Sequence, residues 1–234
     1  MSEEALSEDL AALLDAGERR VYESLTGERV RAQYVTAHAL LRTVLGEVLG
    51  REPASLSFAK GPHGKPYLDD AALEFSLSHS GELVAVALSP DAPVGVDVER
   101  VPEASGELPL PVLSPAERAA YDEVPEPERA AAFTTYWVRK EAVLKATGEG
   151  LRVDPARLTV AAPGRPAALL GWDGRDGVRN GVQPHPPVRL YDLGLDAVDG
   201  YRGAVALLGG GPHRIVRRSA QLRRLAQAPS SDRC

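Results

Sequence analysis

The stretch Phe75-Ser76-Leu77-Ser78-His79-Ser80 alternates its side chains with a period of two. In an extended chain Phe75, Leu77 and His79 share one face, and Ser76, Ser78 and Ser80 share the other. The strand pattern begins at Leu73, Gly81 allows a turn, and Leu83 to Leu88 reads as the return strand. Val94 to Val98 is a further short strand, closed by Glu99-Arg100. Upstream, Gly61, Pro62, Gly64 and Pro66 break the chain into a loop. Two helices precede it. Residues 4–25 carry Leu6, Leu10, Leu13 and Leu14 at helical spacing, and residues 29–49 carry an apolar stripe of Tyr34, Ala37, Leu41, Val44 and Val48.

Downstream, Val101 to Pro111 holds Pro102, Gly106, Pro109 and Pro111 and reads as the boundary between two halves, 1–104 and 105–234. Ser114-Pro115-Ala116-Glu117 combines a capping box with proline at the first helical position. Residues 128–147 lack Gly and Pro and end at Gly148, which predicts a long helix with its stop. Residues 161–188 are Gly/Pro-rich and read as an irregular excursion, after which Tyr201 to Leu208 returns to strand character. Ser80-Gly81 before Val84-Ala85-Val86-Ala87-Leu88 has a counterpart in Asp199-Gly200 before Ala204-Val205-Ala206-Leu207-Leu208. This is a weak sign of a duplicated α/β unit. Arg217, Arg218, Arg223 and Arg224 mark a basic tail, read as a short packed helix or a frayed terminus.

The chain has 234 residues, a net charge of −6 and one cysteine, Cys234. That length supports one large domain or two small ones. A single cysteine rules out a disulfide framework and a thiolate metal cluster, and points to a reducing compartment. No apolar run approaches the roughly 18–20 residues needed to span a bilayer. The start is acidic, unlike a signal peptide. A cytoplasmic protein is expected, with no membrane and no nucleic-acid partner. Of 27 basic residues only Lys60, Lys65, Lys140 and Lys145 are lysines. The survivors are candidates for work a guanidinium does not do, or have drifted there by chance.

Asp97 and Glu99 are two apart in a strand and project to one face, with Val96 and Val98 on the other. Neighbouring carboxylates repel unless a cation lies between them, and hard oxygen ligands suit Mg²⁺ or Mn²⁺. Taken alone, the pair reads first as a solvated strand end. The long helix changes that balance, because Trp137, Glu141 and Lys145 stack at i, i+4 and i+8, flanked by Arg139 and Lys140. Trp137 reads as a core anchor with no chemical role. If Glu141 completes a three-carboxylate site, Lys145 lies one turn away, where it could meet phosphate oxygens or supply a proton. Ser78-His79-Ser80 suits an anionic group such as phosphate, or makes local hydrogen bonds; no Gly-x-Ser-x-Gly elbow supports a hydrolase. Lys65 is an isolated loop cation unless something anionic lies near it.

Gly64-Lys65-Pro66, Phe75 to Ser80, Val94 to Glu99 and Trp137 to Lys145 occur in this order, followed by Gly148-Glu149-Gly150-Leu151. The set resembles the 4′-phosphopantetheinyl transferase superfamily, in its monomeric, two-lobed, surfactin-synthetase-activating type. The resemblance implies an α+β fold made of a pseudo-twofold pair of similar α/β subdomains, with coenzyme A in the cleft between them. It implies that Asp97, Glu99 and Glu141 hold Mg²⁺, and that the serine of an apo acyl or peptidyl carrier protein attacks the β-phosphate, releasing 3′,5′-ADP. Catalytic roles fall to Asp97, to Glu141 in deprotonating the serine, and to Lys145 at the leaving phosphate. Lys65, Ser78 and His79 match positions that hold the 3′-phosphoadenosine end, and Lys140 is an outer contact. The family's N-terminal basic contact would be Arg19, with Arg20 or Arg31 as other registers. Scarce lysine beside abundant Ala, Arg, Gly and Pro suits a high-GC bacterial gene, and so carrier domains of polyketide and peptide synthases as partners. Two other readings are a different metal-dependent phosphotransferase or phosphodiesterase, and a non-catalytic carrier-binding module. The Ser-His-Ser hairpin and the clustered charges of Asp97, Glu99, Glu141 and Lys145 argue against them.

Overall fold

The computed structural model describes residues 8–103, 108–173, 186–195, 198–211 and 213–219. Its contacts divide the chain into two compact units, Met1–Ser57 with Pro212–Cys234, and Phe58–Gly211.

In the first unit, residues 8–11 are helical and the chain then turns before helix α1 (Ala16–Ser24). The Asp15 carboxylate accepts the amides of Gly17 at 2.7 Å and Glu18 at 2.8 Å, and Glu18 returns a carboxylate to the Asp15 amide. This capping box restarts the helix, so the single helix expected over 4–25 is broken in two. Helix α2 (Glu28–Leu49) stops at Gly50, whose φ of 65° is left-handed. Ala37 and Leu41 of the expected stripe are buried, but the buried face is shifted: Val48 is 58 % exposed, while Val35, Ala39 and Leu45 are buried. The cause is Arg42, fully buried, whose guanidinium donates to Asp15, to Glu18 at 2.6 Å, and to the carbonyls of Pro53 and Leu56 at 3.0 and 2.9 Å. A charge with that many partners turns inward and carries its helix face with it. Val35 and Ala39 pack on Leu10, Ala11 and Leu14.

The second unit contains two hairpins that precede its main sheet, β1 (Phe58–Lys60) with β2 (Pro66–Leu68), and β3 (Glu74–Ser80) with β4 (Leu83–Ser89). The sheet itself is antiparallel, in the order β5 (Val94–Arg100), β9 (Tyr201–Leu208), β8 (Val188–Asp192). A third hairpin joins β6 (Leu158–Val160) to β7 (Leu169–Trp172). The expected excursion over 161–188 therefore contains a strand, anchored by the buried Trp172. Residues 174–185 lie outside the described residues. Helix α3 (Pro115–Asp122) begins with the predicted box, Ser114 accepting the Glu117 amide and Glu117 accepting that of Ser114. Helix α4 (Arg129–Thr147) ends at Gly148, φ 73°. Its buried residues Phe133, Tyr136, Val143 and Leu144 share a core with Leu158, Trp172, Leu190, Ala204 and Ala206.

The compact units do not divide at 104/105. Strand β5 lies before that point and β9 after it, yet they pair along their whole length, Val94 to Leu207 through Arg100 to Tyr201. Shared backbone bonds place both sides of the expected boundary in one unit. The two apolar runs 120 residues apart are both strands, β4 in a hairpin and β9 at the centre of the sheet. Residues 213–219 of the basic tail have no regular structure; Arg223, Arg224 and Cys234 lie outside the described residues. Among the described residues no helix is long and apolar enough to cross a membrane.

Candidate active site

The site depends on how closely α4 approaches β5. Gly95 has no Cβ, and one built there would lie 2.1 Å from the Ala142 carbonyl oxygen and 2.4 Å from the Ala146 nitrogen. Only glycine lets the helix backbone rest on the strand at this point. The consequence is that Glu141 and Lys145, one turn apart on α4, stand over Asp97 and Glu99. Those four side chains line a cleft of about 280 Å³ together with Leu77, Ser78, His79 and Trp137.

Asp97 is 3 % exposed, its Oδ1 taking a hydrogen bond from the Ser78 hydroxyl at 2.8 Å and the ammonium of Lys145 at 2.7 Å. Glu99 Oε2 accepts the Ser80 hydroxyl at 2.6 Å. Burial pushes the Asp97 carboxyl above the usual carboxylate range, although Lys145 and Ser78 pull against it. Burial also raises Glu99; Ser80 and Trp137, hydrogen-bonding to it, pull it back, and the Asp97 charge adds to the rise. Glu141 is pushed up to about 7 by burial and then by the charge of Asp97, with Lys145 opposing. Three carboxyls raised together mark a place short of positive charge.

Two buried carboxylate oxygens, Asp97 Oδ2 and Glu141 Oε1, have no hydrogen-bond partner among the described residues. Hard, unpartnered oxygens beside raised carboxyls fit a divalent cation. The three carboxylates share the cleft wall without closing into a finished coordination shell: among the described residues no three acidic, imidazole or thiol groups are gathered that tightly. Lys145 instead holds Asp97.

The other expected residues fall elsewhere. Lys140 does not line the cleft. It is fully buried on a different side of α4, with its ammonium on Glu117 and on the carbonyls of Val112 and Pro155 at 2.8 and 2.9 Å. Lys140 lies five residues from Lys145, so the two lysines leave the helix in different directions, and the ion pair claims Lys140 for the core. Lys65 does not line the cleft; its ammonium donates to the carbonyls of Val94 and Ala146 and to Glu74, and burial lowers its pKa. Arg19 belongs to the other compact unit, where it donates to the Ala11 carbonyl at 2.8 Å. His79 is exposed at the cleft. Ser78 lines it too, with its hydroxyl engaged by Asp97 and by the Val98 amide. Trp137, read from sequence as a core anchor, packs against the core and is also a cleft residue acting on Glu99. Its place in the Glu141–Lys145 stripe was the available signal.

This arrangement lies largely within the part of the chain, residues 93–183, that matches the family model of the 4′-phosphopantetheinyl transferase superfamily. The 4′-phosphopantetheinyl transferase HetI of Nostoc sp. is 31 % identical over 172 residues, covering 71 % of this chain and 73 % of that protein. The 4′-phosphopantetheinyl transferase of Bacillus subtilis is 29 % identical over 113 residues, 48 % of this chain and 50 % of that one. Among solved structures, the coenzyme A complex of the Chronobacterium ammoniagenes ACPS overlaps 52 % of this chain and 98 % of its own, at 22 % identity and a TM-score of 0.39. The HetI match extends over most of both chains, well beyond the carboxylate strand and the lysine helix, and on that breadth the protein belongs to the 4′-phosphopantetheinyl transferase superfamily.

Proposed function

We propose that the protein moves 4′-phosphopantetheine from coenzyme A to a serine of an apo acyl or peptidyl carrier protein, with Mg²⁺ or Mn²⁺ required. One observation carries this reading: Asp97, Glu99, Glu141 and Lys145 line one cleft, in which two buried carboxylate oxygens lack partners among the described residues. In the reaction the carrier serine oxygen bonds to the β-phosphorus, and the phosphorus bond to the bridging diphosphate oxygen breaks. The serine proton goes to a base, and 3′,5′-ADP leaves. Phosphoryl transfer of this kind needs positioning and charge neutralisation more than a covalent nucleophile.

Asp97, Glu99 and Glu141 would hold the divalent cation, which when bound supplies positive charge to the diphosphate. Glu141, whose carboxyl burial and the Asp97 charge raise to about 7, receives the serine proton directly or through water. Lys145 neutralises or protonates the leaving phosphate from its place one turn further along α4. His79, exposed at the rim, faces the 3′-phosphoadenosine end, with Ser78 beside it. Lys65 remains a family-derived contact to that end of coenzyme A. A monomeric state, a cytoplasmic location and partners among polyketide and peptide synthases belong to the same proposal, supported by the sequence features that suggested them.

The test is incubation with coenzyme A, Mg²⁺ and several apo carrier proteins, followed by intact mass. A phosphopantetheine mass gain that disappears on chelation is expected. No gain on any carrier would overturn the reading.

A further inference from the structure

The three serines of β3 make a repeating connection to β5 that the function described so far does not use. The amides of Val96, Val98 and Arg100 donate to the hydroxyls of Ser76, Ser78 and Ser80 at 3.0, 3.3 and 3.1 Å. The offset is 20 residues each time, so β3 runs alongside β5 in the same direction. The two strands have no backbone ladder, since β3 pairs with β4 and β5 with β9. Alternate amides of a strand emerge on opposite edges, and those of the even residues meet β3. The serine hydroxyls thus take the place that carbonyl groups occupy in an ordinary sheet.

A hydroxyl has one proton and can accept as well. Ser78 accepts from Val98 and donates to Asp97 at 2.8 Å; Ser80 accepts from Arg100 and donates to Glu99 at 2.6 Å. In both cases the carboxylate is 19 residues ahead and the amide 20. Accepting from a fixed backbone donor sets the rotor, and the remaining proton then holds one carboxylate oxygen. Ser76 breaks the pattern in an informative way. Its forward neighbour at the same offset is Gly95, which has no side chain to hold.

We propose that Ser78 and Ser80 are positioning residues, which convert the free edge of β5 into a fixed orientation for the Asp97 and Glu99 carboxylates as divalent-cation ligands, whereas Ser76 only joins the two strands. The proposal rests on the reading of these carboxylates as a metal site. It also gives Ser78 work other than a nucleotide contact. Partners of this kind, one bond removed from the ion, change metal affinity by about 10- to 100-fold when deleted.

Ser76 provides the internal control. Ser76→Ala and Ser78→Ala each leave a buried β5 amide without its acceptor and lower the urea midpoint. Only Ser78→Ala and Ser80→Ala release a carboxylate. With Mn²⁺ titrated into the full chain and the free ion followed by its paramagnetic resonance signal, Ser78→Ala and Ser80→Ala should each bind about 10-fold more weakly. Ser76→Ala should stay within about twofold of the wild type, and Ser80→Thr should recover most of the affinity by restoring the hydroxyl. If Ser78→Ala does not fold, Ser80→Ala carries the test, because its backbone partner Arg100 lies at the exposed end of the ladder. Wild-type affinity in both variants overturns the proposal, and so does an equal loss in Ser76→Ala, which would make the effect one of strand docking alone. A wild type that transfers phosphopantetheine and binds Mn²⁺ while the variants do not differ refutes the positioning role and leaves the function standing. A wild type that binds no Mn²⁺ overturns both.

Discussion

Replacing Gly95 by alanine adds one methyl group at the point where α4 rests on β5. That carbon would sit 2.1 Å from the Ala142 oxygen, 2.4 Å from the Ala146 nitrogen and 2.9 Å from the Lys145 carbonyl carbon. Side-chain carbons do not come within 3.0 Å of such atoms. All three obstacles are backbone of one helix, so no side chain can swing aside, and α4 must withdraw by about 1 Å. Overpacking of this kind costs about 1–3 kcal/mol. With a urea slope of about 2 kcal/mol per molar, the denaturation midpoint should fall by about 1 M. The functional loss should be larger in proportion. Glu141 and Lys145 move with the helix while Asp97 and Glu99 stay on the strand, and a displacement of about 1 Å at reacting groups can cost about 100-fold in rate. Urea denaturation followed by circular dichroism, and carrier modification followed by intact mass, measure the two effects on one preparation. A Gly95→Ala protein with both the wild-type midpoint and the wild-type rate would refute the claim that this contact sets the site.

Other substitutions test the remaining assignments. Lys140→Met should leave Glu117 buried and uncompensated and destabilise the fold by about 3–5 kcal/mol, with the KM for coenzyme A of the folded protein unchanged; a raised KM with normal stability would return Lys140 to the ligand. Asp97→Ala should abolish Mg²⁺-dependent transfer, and full activity would mean the site is misassigned. Lys145→Arg keeps the charge but removes the proton-transfer group, so turnover should drop about 100-fold, whereas unchanged turnover removes Lys145 from the acid role. Burial alone would raise Glu18, but its bonds to His38 and Arg42 more than offset that and hold its carboxyl below the ordinary 4.5. The unfolded chain therefore binds this proton more readily, and the stabilisation is present above pH 4.5 and lost as pH falls through the lowered folded value. Acid titration of the melting temperature should show a shallower loss below pH 4.5 in Glu18→Gln; an identical slope would contradict the role of the Arg42 cluster.

Much of the site was legible because its signals are local. Asp97 and Glu99 share a face because a strand has a period of two, and Trp137, Glu141 and Lys145 share a stripe because a helix repeats near 3.6. Capping and glycine signals, equally local, located the box at Ser114 and the stop at Gly148. Local rules failed where a buried charge intervened. Arg42 turned α2 by drawing its own face inward, and Asp15 restarted a helix that the leucine spacing alone would continue.

The lysines show where sequence ends and tertiary structure begins. The sequence by itself determined that lysine was retained at four places, that two of them lie on one helix, and that carboxylates lie on a nearby strand. Only the packing decided that Lys145 meets Asp97 while Lys140 is locked against Glu117. Only the packing brought β3 beside β5, so that serine hydroxyls meet amides 20 residues away. The physical reason is range. Periodicity and caps follow from bonds between residues a few positions apart, whereas the partner of a buried ammonium or hydroxyl is set by which elements share a core.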